Sequence, residues 1–470
     1  MDHGTEPGQS HGSMTSVSAS PMAMMAREHY GQYRWVQAVV AGLALWLITS
    51  PFALGYTSAA MTWSDVVSGI VALVFAVLAL GRTRGLASWA NAAVGIWLML
   101  APLVFWAPDP VAYANDTLVG ALLVAFGLVI PMGMEMKGQA IPDGWSYNPS
   151  SWPQRVPVIA LGFAGFLIAR YMTGYQLGYL PDAWDPFFGD GTRKVLDSDI
   201  SKMWPVSDAG LGAAMYLIEV LSSFMGDRRR WRTMPWMVAI FGLAVVPLGV
   251  ASIVLIILQP LAVGAWCSLC LFTASLMLLM IPLSLDEVVA MIQFLVRRKR
   301  EGASVWRTFW LGDHLPDVPG EEKNPKASEW TLGGMIGGLA GSVPLYLTGA
   351  LGIWLMFAPA VFGSEGAMAD SEHLVGALVV VVAGIALAEV GRPVRFLNVA
   401  GGGWLAVAPW LLEGGSAAAN WTSAAAGVAI VLLSFPTGRI RESYGTFDRF
   451  VIWSPFANSG SRRQRRVRAA

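Results

Sequence analysis

Cys267 and Cys270 are the only two cysteines in the 470-residue chain. They stand three positions apart in Trp266-Cys267-Ser268-Leu269-Cys270, at the head of a long apolar run. A Cys-x-x-Cys pair at a helix start brings both sulfurs to one face within reach of a disulfide, and the positive end of the helix dipole favours the thiolate. That combination suits thiol–disulfide chemistry. The same residues have two other uses, as small apolar filler and as metal ligands. A structural zinc takes four Cys or His ligands, and His3, His11, His29, His314 and His373 all lie far from the pair in sequence, so no metal is expected.

The elements that must position this pair are membrane helices. The chain is 55% hydrophobic and only 13% charged, with 21 tryptophans, which is the composition of a polytopic membrane protein rather than a soluble domain. Its net charge of zero gives no case for nucleic acid as a partner; membrane lipid is the partner composition implies. Apolar runs predict about twelve spans, at 35–54, 66–81, 89–106, 117–134, 157–174, 208–225, 235–259, 264–284, 340–360, 373–390, 396–412 and 422–437. Residues 1–30 are polar and lack the basic stretch and apolar core of a secretion signal, so they read as a disordered cytoplasmic tail. With that end inside, the outer loops 55–65, 107–116, 361–372 and 413–421 contain no Lys or Arg, and the outer loop 175–207 holds Arg193, Lys194 and Lys202. The basic clusters Arg228–Arg230, Arg297–Arg300 and Arg462–Arg468 fall on the inner side, as Lys and Arg do in plasma (inner) membrane proteins. Both termini are then cytoplasmic, and the cysteines lie at the outer face, where disulfides persist.

Four copies of one pattern divide the chain: Ala-Leu-Trp-Leu-Ile-Thr-Ser-Pro (44–51), Gly-Ile-Trp-Leu-Met-Leu-Ala-Pro (95–102), Gly-Ile-Trp-Leu-Met-Phe-Ala-Pro (352–359) and Gly-Gly-Trp-Leu-Ala-Val-Ala-Pro (402–409). Gly69, Asn91, Trp97, Pro102 and Gly120 recur 307 positions later as Gly376, Asn398, Trp404, Pro409 and Gly427, so a four-span block is duplicated on either side of the cysteines. Tryptophan marks the membrane edge, and proline stops a helix as it leaves. These copies resemble the SPW-repeat membrane family, departing from its Ser-Pro-Trp signature at Ser50-Pro51-Phe52, Ala101-Pro102-Leu103, Ala358-Pro359-Ala360 and Ala408-Pro409-Trp410. The resemblance implies scaffold, with a partner-docking surface as the sharper alternative. Gly333, Gly334, Gly337, Gly338 and Gly341 have small-xxx-small spacing, which serves close helix packing.

Between the copies, residues 155–300 hold four spans, a long outer loop, a short turn near Gln259–Val263, the cysteine pair opening the fourth span, and an amphipathic stretch from Asp286 to Arg300. This layout resembles the vitamin K epoxide reductase family. The resemblance implies a four-helix bundle in which Cys270 faces a menaquinone- or ubiquinone-type quinone and Cys267 exchanges disulfides with a thioredoxin-like thiol protein on the outer side. Such exchange runs through a mixed disulfide and needs an accessible attacking sulfur. The family's second cysteine pair is missing from the loop around Asp197-Ser198-Asp199-Ile200-Ser201, and Ala274 stands where some members have a quinone-bonding tyrosine.

Other residues have two readings. Ser207-Asp208 sits where the family places a polar quinone contact, and equally makes a helix cap. Trp184, Phe187, Phe188 and Trp204 could roof a flat ring or form an interfacial aromatic belt, and Asp208, Trp266, Phe187 and Phe188 are the candidate quinone-binding residues. Glu219, inside a span, is a functional suspect as a proton donor, or, with arginines beginning nine residues later, a snorkelling or paired structural acid. Arg170 and Glu389 read as edge residues.

The expected organisation is a tail at 1–30, repeat blocks at 31–136 and 331–438, a redox domain at 150–300, a linker at 301–330 and a basic tail at 439–470. The leading function is membrane thiol–disulfide oxidoreduction. A non-catalytic scaffold that has lost its loop cysteines is the alternative, and a transporter a weaker one, since the repeats flank a non-repeated centre.

Overall fold

In a computed structural model the chain is described over residues 34–80, 84–132, 138–316 and 330–452. The expected N-terminal tail, part of the linker and most of the basic tail lie outside these residues. The described chain is helical, without strands apart from two isolated bridges, Trp145 with Tyr444 and Leu339 with Ala388.

The first repeat block is α1 (Arg34–Leu54), α2 (Ala59–Ala79), α3 (Arg84–Val104) and α4 (Pro110–Met132). The central bundle is α5 (Trp152–Gln176), α6 (Asp208–Phe224), α7 (Pro235–Leu258) and α8 (Ser268–Arg300). The second block is α9 (Val343–Phe362), α10 (Gly366–Ile385), α11 (Leu397–Val407) and α12 (Ala417–Ser434). Among the described residues, α1 to α5, α8, α9 and α10 are long and apolar enough to cross a membrane. The remaining expected spans fall on helices that miss this measure in different ways: α6 has 17 residues, α7 is apolar over its described part, α12 has a shorter apolar stretch at Ala417–Leu433, and α11 breaks at Ala408–Trp410 into a 3-10 turn holding Pro409. The other motif prolines, Pro51, Pro102 and Pro359, lie inside the last turn of their helices.

The duplication is visible in the joints. Trp97 Nε1 donates to Ser64 Oγ at 3.1 Å, and 307 residues later Trp404 Nε1 donates to Ser371 Oγ at 2.8 Å. Gly95 and Gly120 let α3 and α4 touch backbone to backbone, and Gly402 and Gly427 do the same for α11 and α12.

The stretch after Asp286 is not a separate amphipathic element but the continuation of α8, which accommodates Pro282 and runs for 33 residues. At 1.5 Å per residue that is about 50 Å, longer than the ~30 Å hydrocarbon layer. Its projecting part is tied down by polar contacts. Arg230 Nε and Nη2 grip Glu287 Oε1 and Oε2 at 2.6 and 2.5 Å, and Tyr147 bonds Asp286. The glycine run is no helix seam: after a four-residue helix, Leu332–Met335, Gly337 and Gly338 lie flat against Gln154, Tyr147 and Asp286. Glu389, expected at an edge, is wholly buried and accepts from Arg441 N, Glu442 N and Tyr444 Oη. It anchors the chain that follows α12.

Candidate redox site

The α7–α8 turn delivers the cysteines. Gln259–Val263 forms a π-helical turn and Gly264, at φ +66°, closes it in the left-handed region that glycine occupies without cost. Cys267 is then the N-cap of α8, its Sγ accepting from Cys270 N at 3.1 Å. The pair is joined as a disulfide with Cα atoms 5.3 Å apart, inside the usual range. Cys267 N donates to Gln259 Oε1 at 3.0 Å.

The two sulfurs face different surroundings. Cys267 is fully buried, which corrects the expectation of an exposed exchanging sulfur, because the loop before it is clamped over it. Asp185 is the clamp. Its carboxylate accepts from Phe187 N, Phe188 N, Thr192 N and Thr192 Oγ1 at 2.7–3.0 Å within the loop, and from Ser268 N at 3.1 Å and Ser268 Oγ on the cysteine helix. Burial pushes this carboxyl up, but hydrogen bonds from Ser268, Phe188, Thr192 and Phe187 outweigh it and hold the group well below the usual carboxylate range. Gly191 completes the closure, since a side chain there would run into the Trp266 carbonyl.

Cys270 is half-buried and opens on a cavity of about 800 Å³ between α5, α6, α7 and α8. Met172 Sδ lies 3.8 Å from its Sγ. Tyr216, which also lines the cavity, donates to Thr273 O at 2.7 Å. The walls are otherwise apolar, except for Ser252, Thr273 and, at the cysteine end, Asp208. Asp208 is fixed from two sides, by Gln176 Nε2 at 2.6 Å and by Ser201 Oγ at 2.9 Å to each oxygen. Ser207 caps α6, accepting from Gly210 N at 2.9 Å.

The aromatic residues divide. Trp204 lines the cavity. Phe187, Phe188 and Trp266 do not, and so give no roof over it. Trp266 is turned the other way, stacked on Phe357 of the second repeat block at 4.9 Å with His373 edge-on at 5.1 Å. Phe188 stacks on Trp266 at 6.2 Å, and Phe187 packs near Phe272. Trp184 is exposed. Ala274 lines a second, smaller apolar cavity of about 340 Å³ between α7, α8, α9 and α10. Arg170 stacks its guanidinium over Tyr113 of the first block at 5.3 Å, so its place is a joint between blocks. Glu219 is completely buried, with neither oxygen hydrogen-bonded, and the paired-acid expectation fails because Arg230 is engaged with Glu287 instead.

Asp185, Gln259, Gln176 and Met172 were missed in sequence. Asp185 had a signal, since Asp185-Pro186 followed by Gly189 is a turn-initiating pattern. The other three had none. No group of three or more His, Cys, Asp or Glu able to hold a metal occurs among the described residues.

Comparison with known proteins agrees with this geometry. Residues 156–285 match the vitamin K epoxide reductase family, and residues 34–130 and 342–437 match the SPW repeat domain. The chain is a helical, multi-pass membrane protein in which a vitamin K epoxide reductase family domain is flanked by two SPW repeat domains. Neither the curated proteins nor the solved structures compared with it give a match.

Proposed function

We propose that this protein is an enzyme that passes electrons from a thiol protein on the outer side of the plasma membrane, through Cys267 and Cys270, to a quinone dissolved in the bilayer. The observation that carries this is the disulfide at the mouth of α8 with one sulfur, Cys270, in the wall of an apolar cavity. The cavity fits a flat ring and a prenyl tail: about 800 Å³, mainly apolar walls, a carboxylate at Asp208, and Val250 and Val254, both exposed, in its lining.

The chemistry asks little of the chain beyond placement. A thiolate of the partner attacks Cys267 Sγ, a mixed disulfide forms, and Cys270 leaves as a thiolate at the cavity wall, favoured by the N-terminus of α8. A second partner thiol displaces Cys267 and leaves the partner oxidised. Cys267 and Cys270 then rejoin as a disulfide, two electrons and two protons converting the quinone to a hydroquinone. Asp208 holds a hydrogen-bonding group at the cysteine end of the cavity, and Asp185 governs access to Cys267. Partner attack follows opening of the Asp185 loop, with Phe187 and Phe188 moving as its cover. The distribution of Lys and Arg supports cytoplasmic termini and an outer cysteine turn, and the blocks are assigned to 31–136, 150–300 and 331–438.

The burial of Cys267 also favours a second reading, a scaffold whose disulfide is merely structural. Trapping separates the two. In a Cys270→Ala variant, Cys267 is expected to hold its thiol partner as a mixed disulfide that survives purification and is released by reductant. Recovery of Cys267 as a free, uncrosslinked thiol under oxidising conditions would favour the scaffold.

A further inference from the structure

The cavity side of α6 continues past the cavity. Asp208, Gly212, Met215 and Tyr216 line it, and the next positions on that helical stripe are Glu219, four residues after Met215, and Ser223, four after Glu219. Glu219 therefore lies about 6 Å along the axis beyond Met215. Both Glu219 oxygens and Ser223 Oγ are buried without a hydrogen-bond partner. Among the described residues no cation pairs with Glu219, and an unpaired charge buried there would be costly. Beyond Ser223 the helix ends at Phe224, where Arg230 Nη1 bonds Ser222 O at 2.7 Å and Arg155 Nη1 bonds Gly226 O at 2.8 Å. A polar zone thus adjoins the orphaned hydroxyl.

We infer that Glu219 and Ser223 form a proton-uptake path that supplies the quinone cavity from the cytoplasmic side, so that turnover moves protons vectorially. The inference rests on the electron-transfer assignment above. Oxidation of two thiols to a disulfide gives up two electrons and two protons at the outer end, and reduction of the quinone takes two electrons from the cysteines and two protons through Glu219. Glu219 passes its proton toward the cavity and is reprotonated by way of Ser223.

The test uses the full-length protein in vesicles with a pH dye in the lumen and a short-chain quinone in the bilayer. Reduced thioredoxin added outside drives only molecules whose cysteine ends face outward. The expected result is alkalinisation of the lumen by two protons per quinone reduced. Glu219→Gln should slow quinone reduction by on the order of 100-fold, Ser223→Ala by less, and Glu219→Asp should restore part of the rate. A second readout is the infrared band of the Glu219 carboxylic acid, absent from E219Q and shifted when a quinone analogue is added. Wild-type reduction of quinone with proton uptake from outside, or an E219Q variant of unchanged rate, overturns the inference and leaves the oxidoreductase assignment standing. Failure of the wild type to reduce quinone removes that assignment, and an analogue that then leaves the carboxyl band unmoved removes the inference as well.

Discussion

In the first repeat block Asp65 and Asp116 are buried beside each other, close to Tyr56 and Asn115. In the second, 307 positions on, Glu372 and Ser423 occupy the same places. The internal joints of the two copies are alike, but their outer faces grip different parts of the redox core. The first copy holds the cavity side: Trp106 Nε1 donates to Pro205 O at 3.0 Å, Tyr179 of the core donates back to Ala107 O at 2.7 Å, and Leu103 sits against Gly210 beside the cavity helix. The second copy holds the cysteine turn, through Phe357 and His373 on Trp266. His373 ring nitrogens lie 3.4 Å from Ile256 O and from Met356 O, and Pro260, four residues after Ile256, has no N–H to offer that carbonyl. The first copy has Val66 in the place of His373. Duplication thus supplied one scaffold twice, and a few outward residues assigned each copy its part of the site.

The comparison can be broken in graded steps. The largest effect is expected from Asp185→Ala, which strips several buried donors at once and leaves the second copy alone to hold the cysteine turn. A loss of about 3 kcal/mol in detergent-solubilised unfolding should accompany faster maleimide labelling of Cys267 after reduction. Trp266→Ala removes the stack on the second copy and should cost about 2 kcal/mol, with the same gain in Cys267 reactivity and little change in quinone affinity. Trp106→Phe, on the other flank, should cost about 1 kcal/mol and show the reverse pattern, a raised quinone KM with Cys267 labelling unchanged. If Trp266→Ala and Trp106→Phe alter both readouts alike, the division of duties is wrong. The smallest effect is pH-dependent. Because the Asp185 carboxyl is held below its unfolded value of about 3.9, the clamp is complete above that pH and is lost as pH falls through the folded value. The protection of the Ser268 and Thr192 amides against hydrogen exchange, relative to the free-amide rate at each pH, should be constant from pH 7 to about 5 and fall below about 4.

Much of this was legible in sequence for physical reasons. Apolar length marks membrane helices, and the 307-residue period located both repeats, because identical Trp and Gly types meet identical packing demands. Cys267 and Cys270 declared themselves by spacing. What spacing does not encode is direction. Trp266 looked like a quinone-binding residue, yet its side chain points to Phe357, and nothing local to Trp-Cys-Ser-Leu-Cys specifies that. Asp208 was noted as a cap or contact, but its tethering by Gln176 and Ser201 depends on a loop folding back. Glu219 looked pairable from the arginines nine residues on, and only the tertiary arrangement shows Arg230 turned to Glu287. The continuity of α8 through Pro282 was hidden because a proline normally suggests an end.

The most direct test is reoxidation of the reduced pair. Purified protein in lipid nanodiscs is reduced, freed of reductant, mixed anaerobically with a short-chain quinone and quenched with maleimide for mass measurement. The account predicts one hydroquinone formed for each Cys267–Cys270 disulfide regained, with no reoxidation in Cys270→Ser. Cysteines that stay fully alkylated while the quinone remains oxidised would contradict it.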